Sequence, residues 1–304
     1  MKTIDNSNLI SSQKSPDVFC IPPYEINGMH VKMFLEDFCR DFSFDMKASD
    51  LDHDFYYVIP SEDKLNSLLK FINPYSFKRN FDKLLSRILE SLILSGKSYV
   101  EIVTWENSGK EIQGISFVPL SPVKVFRVLG KSYFIVKKFD GSLSKFSIES
   151  KHLIRFSLKD IGFSTSQFKK LIKDLKTLDL IDTSGMIENC EKNGFDFNEY
   201  TQARAFKLLS TTKKVYWYGR DSSNQFFSES YLLYRNAKFK ELRKNIYMSI
   251  ISKINMALQP YQGCLGFSGE ICVHAEWVDY EAAFEKLKRG EINTSQLSKL
   301  VFRL

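Results

Sequence analysis

Three observations in the sequence predict an α+β fold. Apolar residues recur at helical spacing towards both ends of the chain, the stretch from Lys97 to Leu158 alternates with period two, and one apolar face repeats almost without a break from Phe239 to Leu258. Helices and strands gathered into separate runs, instead of regular βα alternation, are what an α+β arrangement looks like in sequence. With 304 residues and 43% hydrophobic side chains, the chain has enough apolar material for one large domain or two.

The first residues, MKTIDNSNLISSQKS, are polar and lack the apolar stretch of a signal peptide, so 1–25 is expected to be a flexible tail. Pro22-Pro23 marks a loop, and Val31 to Ser43 predicts a short helix. From Tyr56 to Phe71, Leu65, Leu68, Leu69 and Phe71 share one side of a predicted helix capped by Ser61 and ended by Pro74. A third helix, Ser76 to Leu94, is marked by Phe81, Leu84, Leu85, Ile88, Leu89 and Leu92.

The tripeptide Gly96-Lys97-Ser98 that follows matches the end of a phosphate-binding loop. That motif needs an earlier glycine where this chain has Ser91, and a strand before the loop with a helix after it. Here the order is reversed, because YVEIV downstream is a strand composition. Gly96 is therefore read as the residue past a helix C-terminus.

Six strands are expected next: Tyr99–Thr104, Ile112–Pro119, Val123–Val128, Tyr133–Phe139, Leu143–Ile148 and His152–Phe156. Asn107-Ser108-Gly109-Lys110 and Asp140-Gly141 supply turns between them. From Thr165 the helical period returns, with Phe168, Leu171, Ile172, Leu175 and Leu178 opposite Lys169, Lys170, Lys173 and Lys176. A loop containing Gly185 and Gly194 separates this helix from Asn198–Leu209. TTKKVYWYGRDSSNQFFSES is aromatic, basic and turn-rich, with a short strand expected inside it. Ser228 caps a long helix from Glu229 to about Leu258 that Pro260 and three later glycines should stop. Ile271–Trp277 reads as a strand, Tyr280–Lys288 as a helix with Gly290 at its C-terminal cap, and a last helix starts near Asn293.

No metal site and no cofactor are expected. The four histidines (30, 53, 152 and 274) show no ligand spacing, and Asp52-His53-Asp54 reads as a polar turn. No nucleophile elbow or dinucleotide loop is present, and Glu281 and Glu285 read as a solvated helix face. Nothing in the sequence calls for an enzyme. Five cysteines without a C-x-x-C pair suggest reduced thiols. The net charge of +7 is mild, yet two places concentrate it: the lysine row from Lys169 to Lys176, and Lys213, Lys214 and Arg220 around Tyr216, Trp217 and Tyr218. Cations interleaved with aromatics suit a nucleic acid, so a free-standing basic nucleic-acid-binding protein is one reading of the chain.

Element order supports another. A helix ending at Gly96, then Ser98-Tyr99-Val100-Glu101-Ile102-Val103, the Gly109-Lys110 hairpin, Val118-Pro119-Leu120-Ser121-Pro122-Val123 and His152 to Phe156 resembles the wing region of tailed-bacteriophage portal proteins. The long helix, the strand reaching Trp277, and Gly290-Glu291-Ile292-Asn293-Thr294 resemble that family's C-terminal part, with Gln296 and Leu297 in place of its usual Asn-Glu. The resemblance covers residues 75 to 304.

It implies a portal-like α+β fold with a β-rich wing meander, amphipathic stem helices and a long wing helix. The regions would be a tail (1–25), a wing (26–160), stem helices with a small clip (161–210), a tunnel loop (211–228), and the wing helix with a C-terminal part (229–304). It further implies a ring of about twelve copies at one capsid vertex, assembled in the host cytoplasm and carried in the virion. Double-stranded DNA would pass through the ring, which would dock the terminase motor, the major capsid protein and a head-tail adaptor. On this reading Lys213, Lys214 and Arg220 contact DNA, and Leu171, Ile172 and Leu175 lie in the stem interface. Against the family the chain is short and net basic.

Overall fold

The computed structural model of the chain describes residues 10–16, 27–40, 56–71, 77–138, 140–190, 197–220, 227–273 and 278–302. Helix (54%) and sheet (23%) are both extensive, and the fold is α+β. Two compact units draw on discontinuous stretches of chain. No described helix is long and apolar enough to cross a membrane.

One unit takes in residues 1–25, 50–162 and 248–275. Its centre is β3 (Lys97–Glu106), whose Val100, Ile102 and Val103 are buried. Strand β4 (Ile112–Leu120) lines one edge of β3. The other edge is shared by β8 (Leu153–Ser157), opposite Lys97–Glu101, and β1 (Ile10–Ser11), opposite Trp105 and Glu106. All these pairings are antiparallel. Glu101 is buried on β3, and its carboxylate accepts hydrogen bonds from the backbone N–H groups of Lys14 (2.7 Å) and Ser15 (3.0 Å). A buried carboxylate needs such donors, and these two tie residues 10–16, which were expected to belong to a flexible tail, to the sheet.

A second sheet is the meander β5 (Lys124–Val128), β6 (Lys131–Lys137) and β7 (Leu143–Glu149). Its inner face places Phe134 and Ile148 against Leu120 and Leu153. The six expected strands are thus present within a few residues of their predicted bounds. Helix α3 (Phe77–Ser95) ends at Gly96, which has φ +79° and donates its N–H to the Leu92 carbonyl at 2.9 Å. The tripeptide is a helix stop, as its context implied.

Two expectations in this unit need correction. The predicted helix from Tyr56 begins as a strand, β2 (Tyr56–Ile59), which pairs antiparallel with β9 (Glu270–Val273). Tyr-Tyr-Val-Ile has aromatic and β-branched side chains suited to a sheet, and the proline after it cannot continue a ladder. Helix α2 (Lys64–Lys70) then starts from Asp63, not Ser61. The Asp63 side chain accepts from Leu65 N–H at 2.9 Å and also from Ser268 N–H at 2.8 Å.

The other unit takes in residues 26–49, 163–247 and 276–304. Helix α1 (Met29–Phe38) buries Val31, Phe34, Leu35 and Phe38. Against it packs α4 (Thr165–Cys190), which in turn packs on α5 (Phe197–Thr211). Helix α4 runs on through Gly185, where a loop was expected. A single glycine costs a helix only about 1 kcal/mol. Gly194 lies outside the described residues.

The long helix α6 (Glu229–Leu265) contains Pro260, which was expected to stop it. Proline forfeits one backbone bond but does not always end a helix. The stop comes at Gly266, with φ +66° and its N–H on the Gln262 carbonyl. Helices α7 (Tyr280–Lys288) and α8 (Thr294–Phe302) pack Tyr280, Ala283, Leu297 and Val301 around Leu233 and Ala237 of α6. Asn293 and Gln296 bond each other's backbone N–H, both at 2.9 Å, in a capping box that starts α8.

Candidate nucleic-acid interface

The basic aromatic segment follows α5 directly. Residues 212–216 form turns, with Tyr216 at φ +58°, and the expected short strand is absent from the described residues. The backbone folds back because buried donors hold it. Arg235 of α6, itself 3% exposed, donates to the Thr212 hydroxyl (2.9 Å), the Thr212 carbonyl (3.1 Å) and the Trp217 carbonyl (2.8 Å). A guanidinium presents five N–H groups in a fixed fork, so one side chain can close several carbonyls at once.

That fold decides which of the predicted residues face solvent. Trp217 is 1% exposed, meets Phe34 edge to face at 5.4 Å, and donates its indole N–H to Asp37 at 2.9 Å. It is a core residue, and its ring has no face left for a nucleic-acid base. Arg220 is half exposed, but its charge is taken up by Asp37 (2.6 Å) and Glu36 (2.9 Å), both on α1. Its hydrogen bonds to Asp37 hold the guanidinium pKa above the ordinary arginine value. Of the three residues expected to contact DNA, Arg220 is therefore neutralised in place. Lys213 and Lys214 are exposed, and neither forms an ion pair with a described residue.

The structure brings these two lysines together with part of the lysine row. Lys170, Lys213 and Lys214 line one cleft of about 300 Å³ between the start of α4 and the end of α5. Its floor is Phe168, Leu171 and Val215, all buried, and Phe163 stands edge to face on Phe168 at 4.6 Å. Asp174 and Gln167 complete the wall with Ser210 and Thr211. Lys169, Lys173 and Lys176 are exposed on the same helix but do not line the cleft.

The residues expected at a stem interface divide differently. Leu175 is 0% exposed inside the unit's own core, and Leu171 is buried at the floor of the cleft. Ile172 is half-buried and retains surface for a neighbour.

Other candidates have structural partners. His30 is buried, with Nδ1 at 2.6 Å from Asp179 and Nε2 at 3.2 Å from the Arg204 guanidinium. His152 bonds the Tyr261 hydroxyl at 2.6 Å, and burial lowers its pKa. His53, His274, Asp52 and Asp54 lie outside the described residues. Glu281 and Glu285 pair with Lys238 and Lys288. Among the described residues no group of three or more His, Cys, Asp or Glu side chains could hold a metal ion.

Sequence reasoning missed Arg235 and Arg243. Arg243 is fully buried in the long helix and donates to the carbonyls of Phe38 and Arg40. A signal existed: both arginines fall beside the apolar stripe of α6, one turn from core positions. No protein-family model matches the chain, and no curated protein matches it.

Proposed function

We propose that the chain is a portal protein of a tailed bacteriophage: a ring of about twelve copies through which genomic DNA passes during packaging and ejection. The observation that carries this reading is the order of elements. A helix stopped by Gly96 leads into a β meander, two successive helices, a basic turn, a 37-residue helix, a strand and two capped helices. On this reading Lys213 and Lys214 face the phosphate backbone, and ring symmetry multiplies their charge into a positive collar. Such a contact is electrostatic and indifferent to sequence, which a translocating channel needs. No catalytic group or cofactor is required for this role.

Native mass measurement tests the proposal. Rings of about twelve 35.3 kDa chains support it, and monomer or dimer at every concentration overturns it. The variant Ile172→Asp sharpens the test, since it places a charge on surface the single chain leaves partly open. Loss of rings with an intact fold would support a neighbour at that position.

A second reading, a free-standing nucleic-acid-binding protein, is favoured by one observation: three lysines with no ion-pair partner among the described residues converge on one apolar-floored cleft. It predicts DNA binding by a monomer.

A further inference from the structure

The cleft has a composition that a duplex surface does not explain. A phosphate backbone asks only for exposed cations. This site adds a buried apolar floor, a half-buried aromatic ring in its lining and a carboxylate among the lysines. Asp174 would repel a bare phosphate, and a purely electrostatic patch would be better without it. Each part finds a partner in one kind of ligand. An unpaired nucleotide has a flat apolar ring, an anionic phosphate, and, in cytosine, adenine and guanine, an exocyclic amine that a carboxylate can accept from.

We propose that this cleft binds one unpaired nucleotide, its base over Phe163 and the apolar floor and its phosphate on Lys213 and Lys214. Phe163 is half-buried and anchored edge to face on Phe168, so its ring is held in place for stacking. Lys170 stands on the facing wall and adds a third cation. Asp174 and Gln167 supply the base-edge acceptor and amide. A volume of about 300 Å³ lies at the small end of ligand pockets and suits one nucleotide better than a longer segment. The proposal goes beyond the portal reading, which needs only duplex contact, and does not depend on ring formation.

The test uses the full chain and fluorescently labelled oligo-dC, oligo-dT, a duplex of equal length, dCMP and inorganic phosphate. The single strands should bind more tightly than the duplex, oligo-dC more tightly than oligo-dT, and phosphate alone weakly. Similar affinity for dCMP and oligo-dC identifies a mononucleotide site; much tighter oligo-dC identifies a strand site. Phe163→Ala should weaken oligo-dC binding about tenfold through lost stacking. The double variant Lys213→Ala/Lys214→Ala should weaken it further and flatten its salt dependence, whereas Lys299→Ala, a remote charge control, should not. Asp174→Asn should erase the preference for dC over dT.

Equal affinity for duplex and single strand overturns the proposal, as does an unchanged Phe163→Ala variant that melts like wild type. Binding of a phosphate-free peptide bearing adjacent Phe and Glu, with no oligonucleotide binding, also overturns it. Because ring formation is measured separately, failure here leaves the portal reading standing.

Discussion

The Trp217–Arg220 end and the Lys213–Lys214 end of one basic aromatic turn both carry cations and have opposite fates. At one end the indole is buried and the guanidinium lies within hydrogen-bond reach of Asp37 and Glu36. At the other end two ammonium groups stand at the rim of an open cleft with no ion-pair partner among the described residues. Cation-plus-aromatic composition therefore does not by itself mark a binding surface. What separates the two ends is whether acidic side chains from another element reach them. Helix α1 supplies two carboxylates to Arg220, whereas the wall facing Lys213 and Lys214 supplies Lys170 and a single carboxylate, Asp174.

This contrast breaks if the buried end proves dispensable. Trp217→Ala should cost about 3–5 kcal/mol of stability, because a large ring leaves a cavity under the turn; urea denaturation measures it. A cost below about 1 kcal/mol would mean that the ring is not the core element described. Asp37→Ala should cost less, about 1–3 kcal/mol, by leaving the buried indole N–H unsatisfied and freeing Arg220. It should also raise affinity for DNA slightly, since a neutralised cation is released. No gain in affinity would show that Arg220 points away from any bound polyanion.

A remote ion pair sets the scale for surface charge. Burial pushes the Asp160 carboxyl up, but the Lys253 ammonium at 2.7 Å and hydrogen bonds from Ser157 outweigh it, so the carboxyl sits below its ordinary value of 3.8. A depressed folded pKa gives stability that is present above the unfolded value and lost as pH falls through the folded one. Lys253→Met should therefore cost about 0.5–1 kcal/mol near neutral pH, with the difference fading below about pH 4. A cost independent of pH would assign the loss to packing on Phe156 instead, since Nζ lies 5.6 Å from that ring centroid.

The smallest stability effect belongs to Lys213→Ala/Lys214→Ala, within about 0.5 kcal/mol of wild type. Its salt slope for DNA binding should nonetheless fall by about two. A large loss of stability would mean that these lysines are structural after all.

The strands from Lys97 to Ser157 were legible because their signals are local. Alternation sets the faces, Asp140-Gly141 sets a turn, and each strand pairs with a neighbour close in sequence or with β3. Gly96 and Gly266 were legible for the same reason, since a helix stop depends on a few consecutive residues. Tyr56–Ile59 was misread because its partner is Glu270–Val273, far along the chain. Pro260 was misread as a stop because a helix can tolerate one lost bond when its neighbours hold it. Of the cleft, the lysines could be singled out, but not that Lys170 and Lys213 line the same cleft as Phe163.

The sequence by itself determined the α+β class, the positions of most helices and strands, and the cations available for a polyanion. Each of these follows from side-chain periodicity or from residue identity alone. Only the tertiary structure decided which cations remain unpaired and which aromatics remain exposed. Arg220 and Asp37 are 183 residues apart, and no local pattern encodes a contact at that distance. Charge neutralisation and ring burial depend on what packs alongside, and that is settled when distant elements are brought together by the core.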